Sequence, residues 1–270
     1  MTMAASGTAL MTGKRGLIVG IANDHSIAWG IAKAVHDAGG ELALTYQDDA
    51  FRRRVEPLAQ SLGSQIVMPC DVEQPETLDA IFERIASVWG GMDFLVHAVA
   101  FSDKHELRGR YVDTSRDNFL RTLRISCYSF TDMARRAAPL MTAGGSLVTL
   151  TYMGSQRVMP SYNVMGVAKA ALEASVRYMA TDLGKDGIRV NAISAGPMRT
   201  LAGAAVGDAR YVYNFNRTNA PLKRNVTLEE VGAAGLYLTS DLSRGVTGEV
   251  LYTDSGFHAV GIPRPNGEAD

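Results

Sequence analysis

The feature that most constrains the fold is a regular alternation of short apolar runs with segments of helical periodicity. Strands are predicted at 15–21, 41–47, 65–72, 93–101, 145–154, 188–196 and 248–256. Helices are predicted between them, at 26–40, 51–63, 75–91, 116–141, 162–184 and 228–240. Most of the strand runs are apolar along nearly their whole length, as strands covered on both faces must be. The alternation therefore predicts an α/β fold, a doubly wound parallel sheet of seven strands with helices on both faces.

The chain shows no internal linker, repeat or low-complexity segment, so one domain is favoured over two. We predict a flexible N-terminal leader at 1–13, a Rossmann-like domain at 14–258 and a C-terminal tail at 259–270. The stretch at 198–224 is less regular and lies between a strand and the next helix. A lid or substrate-binding loop would lie at such a place. Ordinary core beneath a long loop would give the same pattern.

Composition argues against several classes of function. Charged residues make up 20% of the chain and the net charge is −1, so no strong field favours nucleic acid or a membrane. No apolar stretch approaches the ~20 residues of a membrane span, and no signal peptide is evident. Cys70 and Cys127 lie in apolar patterns, as free thiols in a reducing compartment do. The histidines show no metal-binding spacing. We therefore expect a cytoplasmic protein without a metal.

The first strand-to-helix turn is a candidate cofactor site, because ligands of open parallel sheets bind beyond the carboxyl ends of the strands. Gly20 permits a tight turn, Ser26 is a candidate N-cap, and Gly30 allows close helix packing. The loop has fewer glycines than the usual dinucleotide fingerprint. A purely structural turn is therefore the alternative.

Two later strand ends carry polar residues that suit the adenosine half of a dinucleotide. Gln47 ends the second strand and Asp48 follows it, at the place where an acidic residue normally bonds the ribose hydroxyls. No arginine directly follows this strand, which favours NADH over NADPH. The arginines at 52–54 could still reach a 2′-phosphate, or could form a solvated helix face. Asp71 ends the third strand and could accept from the adenine amino group or cap the next loop.

Tyr162 and Lys169 are seven residues apart in a helical pattern. On a helix both side chains leave one face, separated by about 10 Å along the axis. An elongated ligand could touch both, with the lysine at ribose hydroxyls and the tyrosine at the reacting atom. The lysine's positive charge is expected to lower the phenol's pKa and to strengthen it as a donor. The alternative is a snorkelling lysine beside a half-buried tyrosine.

Taken together, these features resemble the short-chain dehydrogenase/reductase family. The usual Tyr-x-x-x-Lys motif is absent, because Met165 stands four residues before Lys169, and the usual NNAG is replaced by HAVAF. Both departures are typical of one branch, the NADH-dependent enoyl-acyl carrier protein reductases of bacterial fatty-acid synthesis. The likeness covers about 11–258. Its most specific segments read YNVMGVAKA and NAISAGPMRTLA.

The resemblance implies a role for each matching residue. Tyr162 would donate a proton or stabilise an enolate, and Tyr152 would help to place the substrate. Lys169 would hold the nicotinamide ribose, and Ser102 would contact the substrate. The other residues implied to bind NADH are Gly20, Ser26, Ile27, Gln47, Asp71, Val72, Val99, Met198, Arg199, Thr200, Leu201 and Ala202.

The resemblance also implies a reaction and partners. The reaction is the NADH-dependent reduction of the trans-2 double bond of an enoyl thioester, the last step of the fatty-acid elongation cycle. The substrate would arrive on an acyl carrier protein, which is strongly acidic, and the enzyme would be a homotetramer. The helices predicted at 116–141 and 162–184 have apolar faces that are too wide to be covered by contact with the sheet alone. Helices at subunit interfaces have such faces.

Two other functions stay open, because fold alone would not separate them. An ordinary short-chain carbonyl or alcohol dehydrogenase would carry a serine about a dozen residues before the tyrosine. Thr149, Thr151 and Ser155 meet that requirement only loosely. A non-catalytic nucleotide sensor is the third class. The retained Tyr162 and Thr200 argue against it, since a sensor could lose the tyrosine freely.

Overall fold

The seven predicted strands form a single parallel sheet, so the predicted fold class is confirmed. The structure is a computed structural model that describes residues 9–201, 203 and 207–263. The strand order is β3-β2-β1-β4-β5-β6-β7, and every neighbouring pair is parallel. The strands are β1 (Arg15–Val19), β2 (Glu41–Tyr46), β3 (Ile66–Pro69), β4 (Phe94–His97), β5 (Gly145–Thr151), β6 (Ile188–Ala195) and β7 (Val250–Thr253). The order reverses between β1 and β4, which creates a crevice at their carboxyl ends.

Helices cover both faces of this sheet. They are α1 (Ile27–Asp37), α2 (Asp49–Ser61), α3 (Pro75–Trp89), α4 (Arg116–Leu123), α5 (Ser129–Ala137), α6 (Asn163–Leu183), α7 (Ala209–Asn219) and α8 (Leu228–Thr239). One hydrophobic core joins the sheet to α3, α5 and α6, and a second joins it to α1, α2 and α8. In β1, Leu17 belongs to the first core and Ile18 to the second. This two-sided burial explains why the strands are apolar without interruption.

The long helix predicted at 116–141 is interrupted. A π-helical turn at Arg124–Tyr128 separates α4 from α5, and a 3₁₀ turn at Ala138–Leu140 follows α5. After the π turn, Ser129 Oγ donates to the Ile125 carbonyl at 2.6 Å and lies 2.7 Å from His97 Nε2. A π turn adds one residue to the helix. Such an insertion shifts the phase of the hydrophobic periodicity by one residue, whereas the sequence pattern had been interpreted as one continuous helix.

Two boundaries near the predicted site also differ. Helix α6 begins at Asn163, so Tyr162 is its N-cap residue and lies just outside it. The irregular stretch at 198–224 contains a regular helix, α7. In α7, Phe215 packs against Phe257 with ring centroids 6.0 Å apart, and Phe257 lies in the 3₁₀ turn after β7.

Both of the segments that were predicted as chain ends contain residues that contact the folded domain. Most of the leader at 1–13 lies outside the described residues, but Met11 is fully buried and its backbone amide donates to the Ala38 carbonyl at 2.8 Å. Ordered packing therefore begins before residue 14. At the other end, the Val260 carbonyl accepts from Arg157 at 2.9 Å. Within the described part of the chain, no helix has the length and apolar character to cross a membrane.

Candidate active site

Two adjoining cavities lie at the carboxyl ends of the strands. The larger has a volume of about 1120 Å³ and an apolar lining that includes Leu107, Met159 and Val212. The smaller, of about 430 Å³, lies against the ends of β1, β2, β3 and β4. Lys169 and Thr200 line both cavities. An elongated ligand could therefore extend from one cavity into the other.

Nearly all the residues predicted to bind a dinucleotide line these cavities. Those at the smaller cavity are Gly20, Ser26, Ile27, Gln47, Asp71, Val72, Val99, Lys169, Thr200 and Leu201. Met198 and Arg199 line the larger cavity, and the Arg199 guanidinium lies 4.9 Å from the ring centroid of Tyr213 on α7. Ala202 lies outside the described residues.

The turn after β1 depends on a glycine and a serine. Gly20 has φ of 105°, and a Cβ there would lie 2.2 Å from the Ala98 carbonyl oxygen, so a side chain would be excluded. Ser26 occupies the N-cap position of α1, but its side chain does not cap the helix. Instead Ser26 Oγ accepts from the backbone amides of Ala22 and Asn23 at 3.0 and 3.1 Å. Ser26 therefore fixes the shape of the turn.

The ends of β2 and β3 present acidic side chains with structural partners. Asp48 caps α2 by accepting from the backbone amides of Ala50 and Phe51. Asp71 accepts from the Glu73 backbone amide at 3.0 Å while it lines the smaller cavity. The loop-capping interpretation of Asp71 is thus correct, and its position still allows contact with a ligand. Arg52 pairs with Glu56 at 2.7 Å on the outside of α2.

Tyr162, Lys169 and Tyr152 come together at the larger cavity. The side chains of Tyr162 and Lys169 are buried, with 8% and 6% exposure. The two tyrosine rings meet edge to face, with centroids 5.2 Å apart and planes at 75°. Lys169 Nζ donates to the Leu150 carbonyl at the end of β5, at 2.8 Å. The snorkelling alternative for Lys169 is therefore wrong.

Burial controls the pKa values of this cluster. Burial raises the pKa of Tyr162 far above its usual value, and Tyr152 and Glu173 add to the rise. Burial, with a contribution from Asp254, also raises the pKa of Tyr152 to about 12. Burial lowers the pKa of Lys169 to about 8. The predicted lowering of the phenol's pKa is wrong, because burial disfavours the charged phenolate and the pKa is raised.

Ser102 lies in the wall of the larger cavity, within a small polar cluster. Ser102 Oγ accepts from Thr122 Oγ1 at 2.9 Å and lies 3.3 Å from Asn118 Oδ1. Asn118 is nearly buried, and its Oδ1 also accepts from the Asp103 backbone amide at 3.0 Å. These contacts order the loop after β4 and hold Ser102 at the cavity.

The sequence reasoning missed two buried groups beside the site. His97 is fully buried, with Nδ1 3.0 Å from Thr149 Oγ1, and burial lowers its pKa to about 3, so it is neutral at pH 7. Glu173 is buried on α6, four residues after Lys169. The sequence signal for Glu173 was an acidic residue on the apolar face of the helix predicted at 162–184, which indicates a buried carboxylate. Within the described residues, no His, Cys, Asp and Glu side chains form a group that could hold a metal ion.

Comparisons with known proteins agree on one family. Residues 20–258 match the family described as Enoyl-(Acyl carrier protein) reductase. The chain is 63% identical over 258 residues to the enoyl-[acyl-carrier-protein] reductase [NADH] 1 of Rhizobium meliloti, covering 96% of this chain and 95% of that protein. It is 54% identical to a Rickettsia felis enoyl-[acyl-carrier-protein] reductase [NADH], covering 94% of this chain and 98% of that protein.

Solved structures give the same answer. A reductase from Anaplasma phagocytophilum, crystallised with NAD, superposes with a TM-score of 0.92 and 59% identity, covering 96% of this chain and 99% of that one. A Bacillus cereus enoyl-acyl carrier protein reductase was crystallised with NADP⁺ and an indole naphthyridinone. It superposes with a TM-score of 0.91 and 50% identity, covering 94% of this chain and 99% of that one. From its residues, its fold and its relatives, the chain belongs to the enoyl-(acyl carrier protein) reductase family.

Proposed function

We propose that this protein reduces the trans-2 double bond of enoyl thioesters with NADH, in the last step of the fatty-acid elongation cycle. The observation that carries the proposal is the position of Tyr162 and Lys169. Both are buried at a mainly apolar cavity, and Lys169 also lines the adjoining cavity at the strand ends. One cavity suits an acyl chain and the other suits a dinucleotide.

The smaller cavity fits a dinucleotide in shape and chemistry. Gly20 and Ser26 would place backbone amides of the first turn near the pyrophosphate, and Gln47 and Asp71 would face the adenosine half. We propose the same general role for the other residues that the resemblance implies. Asp48 is the acidic cap of α2 next to Gln47, and it would repel a 2′-phosphate. NADH is therefore the preferred cofactor.

Reduction of a conjugated thioester needs a hydrogen-bond donor where negative charge develops. When bound, NADH supplies a hydride to the β-carbon. The Tyr162 hydroxyl would donate to the thioester oxygen as this oxygen gains enolate character. The raised pKa of Tyr162 keeps the phenol protonated across the working pH range, as a donor must be. Burial also removes competing water and so strengthens the hydrogen bond.

Lys169, Tyr152 and Ser102 would have supporting roles. Lys169 would bind the nicotinamide ribose with donors not used by the Leu150 carbonyl, since an ammonium has three. Tyr152 packs edge-on against Tyr162 and would hold the substrate thioester beside it. Ser102 would contact the substrate from the loop after β4, where it lines the cavity.

An ordinary carbonyl dehydrogenase is less well supported. That reaction would use a hydroxyl shortly before the tyrosine as a second donor. Thr149 instead pairs with His97, while Thr151 and Ser155 both donate to Glu173. None of the three hydroxyls is directed at Tyr162 in this arrangement, which favours the enoyl reductase.

We propose an acyl carrier protein as the partner that delivers the substrate. Lys104, Arg199 and Arg210 are exposed and line the larger cavity, and their charges suit an acidic partner. We also propose a homotetramer in the cytoplasm. Exposed apolar side chains on α4, α6 and the π turn would suit subunit contacts. These side chains are Leu120, Tyr128, Val167 and Tyr178.

The proposed reaction predicts a clear substrate preference. Purified protein should oxidise NADH when given a trans-2-enoyl thioester, and should be inactive with a simple ketone of similar size. Turnover with NADPH should be at least about tenfold slower, since the end of β2 lacks a directly following arginine. The loss of NADH absorbance measures each rate. Turnover of the ketone alone would indicate the carbonyl dehydrogenase, and binding of NADH without any turnover would indicate the sensor.

Replacing Tyr162 tests its proposed role as the donor. Tyr162→Phe should lower kcat about a hundredfold or more, because removal of one oxyanion donor typically costs that much. Binding of NADH, followed by fluorescence, should change little. Tyr111→Phe is the matched control, since Tyr111 is exposed on the 3₁₀ turn at Tyr111–Asp113 and lines neither cavity, and its kcat should equal that of the native chain. A loss of less than about threefold in Tyr162→Phe would exclude the assignment.

The pKa of Lys169 predicts a pH dependence. Burial lowers this pKa to about 8, so the ammonium loses its proton and its charge as the pH rises through 8. We expect kcat/KM for NADH to fall on the alkaline side with an apparent pKa near 8, because this ratio reports on the unliganded enzyme. In Lys169→Met the remaining activity should lack this alkaline limb. A native profile that stays flat to about pH 9.5 would contradict the proposed role.

A further inference from the structure

A buried carboxylate outside the proposed chemistry joins the two tyrosine-bearing segments. Glu173 is 5% exposed, on α6. Its Oε1 accepts from Thr151 Oγ1 at 2.7 Å and from Ser155 Oγ at 2.5 Å, and its Oε2 lies 3.5 Å from Gln156 Nε2. A carboxylate is costly to bury unless hydrogen bonds compensate it. Here all of these donors come from one short segment, 151–156.

That segment carries Tyr152. Thr151 is the last residue of β5 and directly precedes Tyr152, and Ser155 ends the 3₁₀ turn that follows it. The two short hydrogen bonds to Glu173 therefore hold the backbone on both sides of Tyr152. Because Glu173 and Lys169 are on α6 and Tyr162 is its N-cap residue, the carboxylate ties Tyr152 to the helix that carries the proposed catalytic groups.

The packing between the segment and α6 leaves little room for adjustment. A Cβ on Gly154 would lie 2.4 Å from Cδ1 of the Tyr162 ring, and a Cβ on Gly166 would lie 2.7 Å from the Gly154 carbonyl oxygen. Close approach at these two glycines brings the Tyr152 ring to 5.2 Å from the Tyr162 ring. Small shifts of the segment would therefore change the spacing of the two phenols.

We infer that Glu173 is a positioning residue for the reductase reaction. Through Thr151 and Ser155 it fixes the Tyr152 hydroxyl relative to Tyr162, and so sets where the substrate thioester is held. This inference rests on the proposed function and adds to it a residue that touches neither substrate nor cofactor. Glu173 acts on the turnover step, and it is not among the residues that line the cavity at the strand ends.

Kinetics of matched variants test the inference. Glu173→Met removes both acceptors at similar volume and should lower kcat tenfold or more, with KM for NADH within twofold of the native value. Glu173→Gln keeps one acceptor oxygen for the two hydroxyls and should stay within threefold in kcat. Ser155→Ala removes a single anchor and should lower kcat at least threefold. Ser175→Ala is the control, because this α6 hydroxyl donates within its own helix, to the Ala171 carbonyl.

A double-mutant cycle separates positioning from general structural support. If Glu173 acts through Tyr152, then Glu173→Met should cost less than twofold in kcat once Tyr152 is phenylalanine. Equal losses in both backgrounds would overturn the inference. The same cycle with Ser155→Ala decides the question if Glu173→Met does not fold. Native kcat in Ser155→Ala would also overturn it.

A readout that needs no turnover keeps this inference distinct from the proposed function. Tyr152 can be replaced by 3-fluorotyrosine and its fluorine resonance followed by NMR. The resonance should shift or broaden in Ser155→Ala and stay unchanged in Ser175→Ala. An unchanged resonance in Ser155→Ala would overturn the inference. Absence of native turnover with an enoyl thioester, by contrast, would overturn the proposed function alone.

Discussion

The site depends on one buried ammonium group. Lys169 projects from α6 to the carboxyl end of β5, where it donates to the Leu150 carbonyl at 2.8 Å. This contact joins the helix that carries the proposed catalytic groups to the centre of the sheet. Both cavities meet at the same side chain. Burial lowers the pKa of Lys169 to about 8, so this ammonium loses its proton and its charge as the pH rises through 8.

The same burial gives the tyrosines their character. A phenolate in an apolar cavity would lack solvation, so the pKa values of Tyr152 and Tyr162 are raised. Such phenols stay protonated at neutral pH, so each keeps a hydroxyl proton that it can donate to an enolate oxygen. His97 is neutral for the same reason, and its two ring nitrogens contact Thr149 and Ser129 and not the cavity. Thr149 and Ser129 are thus both hydrogen-bonded to His97, whereas Tyr162 lines the larger cavity, where the substrate would bind.

Much of this arrangement could be predicted from the sequence. Uninterrupted apolar runs are a direct result of strands buried on both faces, and Leu17 and Ile18 show this in adjacent positions of β1. Tyr162 and Lys169 both line one cavity, as their spacing predicted, although Tyr162 is the N-cap residue of α6 and lies just outside the helix. Strand ends converge in a parallel sheet, so Gly20, Gln47 and Asp71 came together from distant parts of the chain.

Other features of the fold and the site could not be predicted, because they involve contacts that form only in the folded chain. The π turn at Arg124–Tyr128 lies beside the buried contacts of Ser129 with His97 and Ile125. Ser26 accepts from the amides of the preceding turn, where a helix cap was expected. Helix α7 lies within the stretch that was predicted only as an irregular segment. The pKa of Tyr162 is raised chiefly by the burial of its side chain, which sequence spacing cannot supply.

The central claim is that this site delivers hydride to the carbon–carbon double bond of an enoyl thioester, with Tyr162 at the thioester oxygen. The most direct measurement uses NADH with deuterium at both C4 positions of the nicotinamide and follows the label in the product by NMR. The account predicts one deuterium at the β-carbon of a saturated acyl thioester. Deuterium on a carbinol carbon, with the double bond intact, would contradict it.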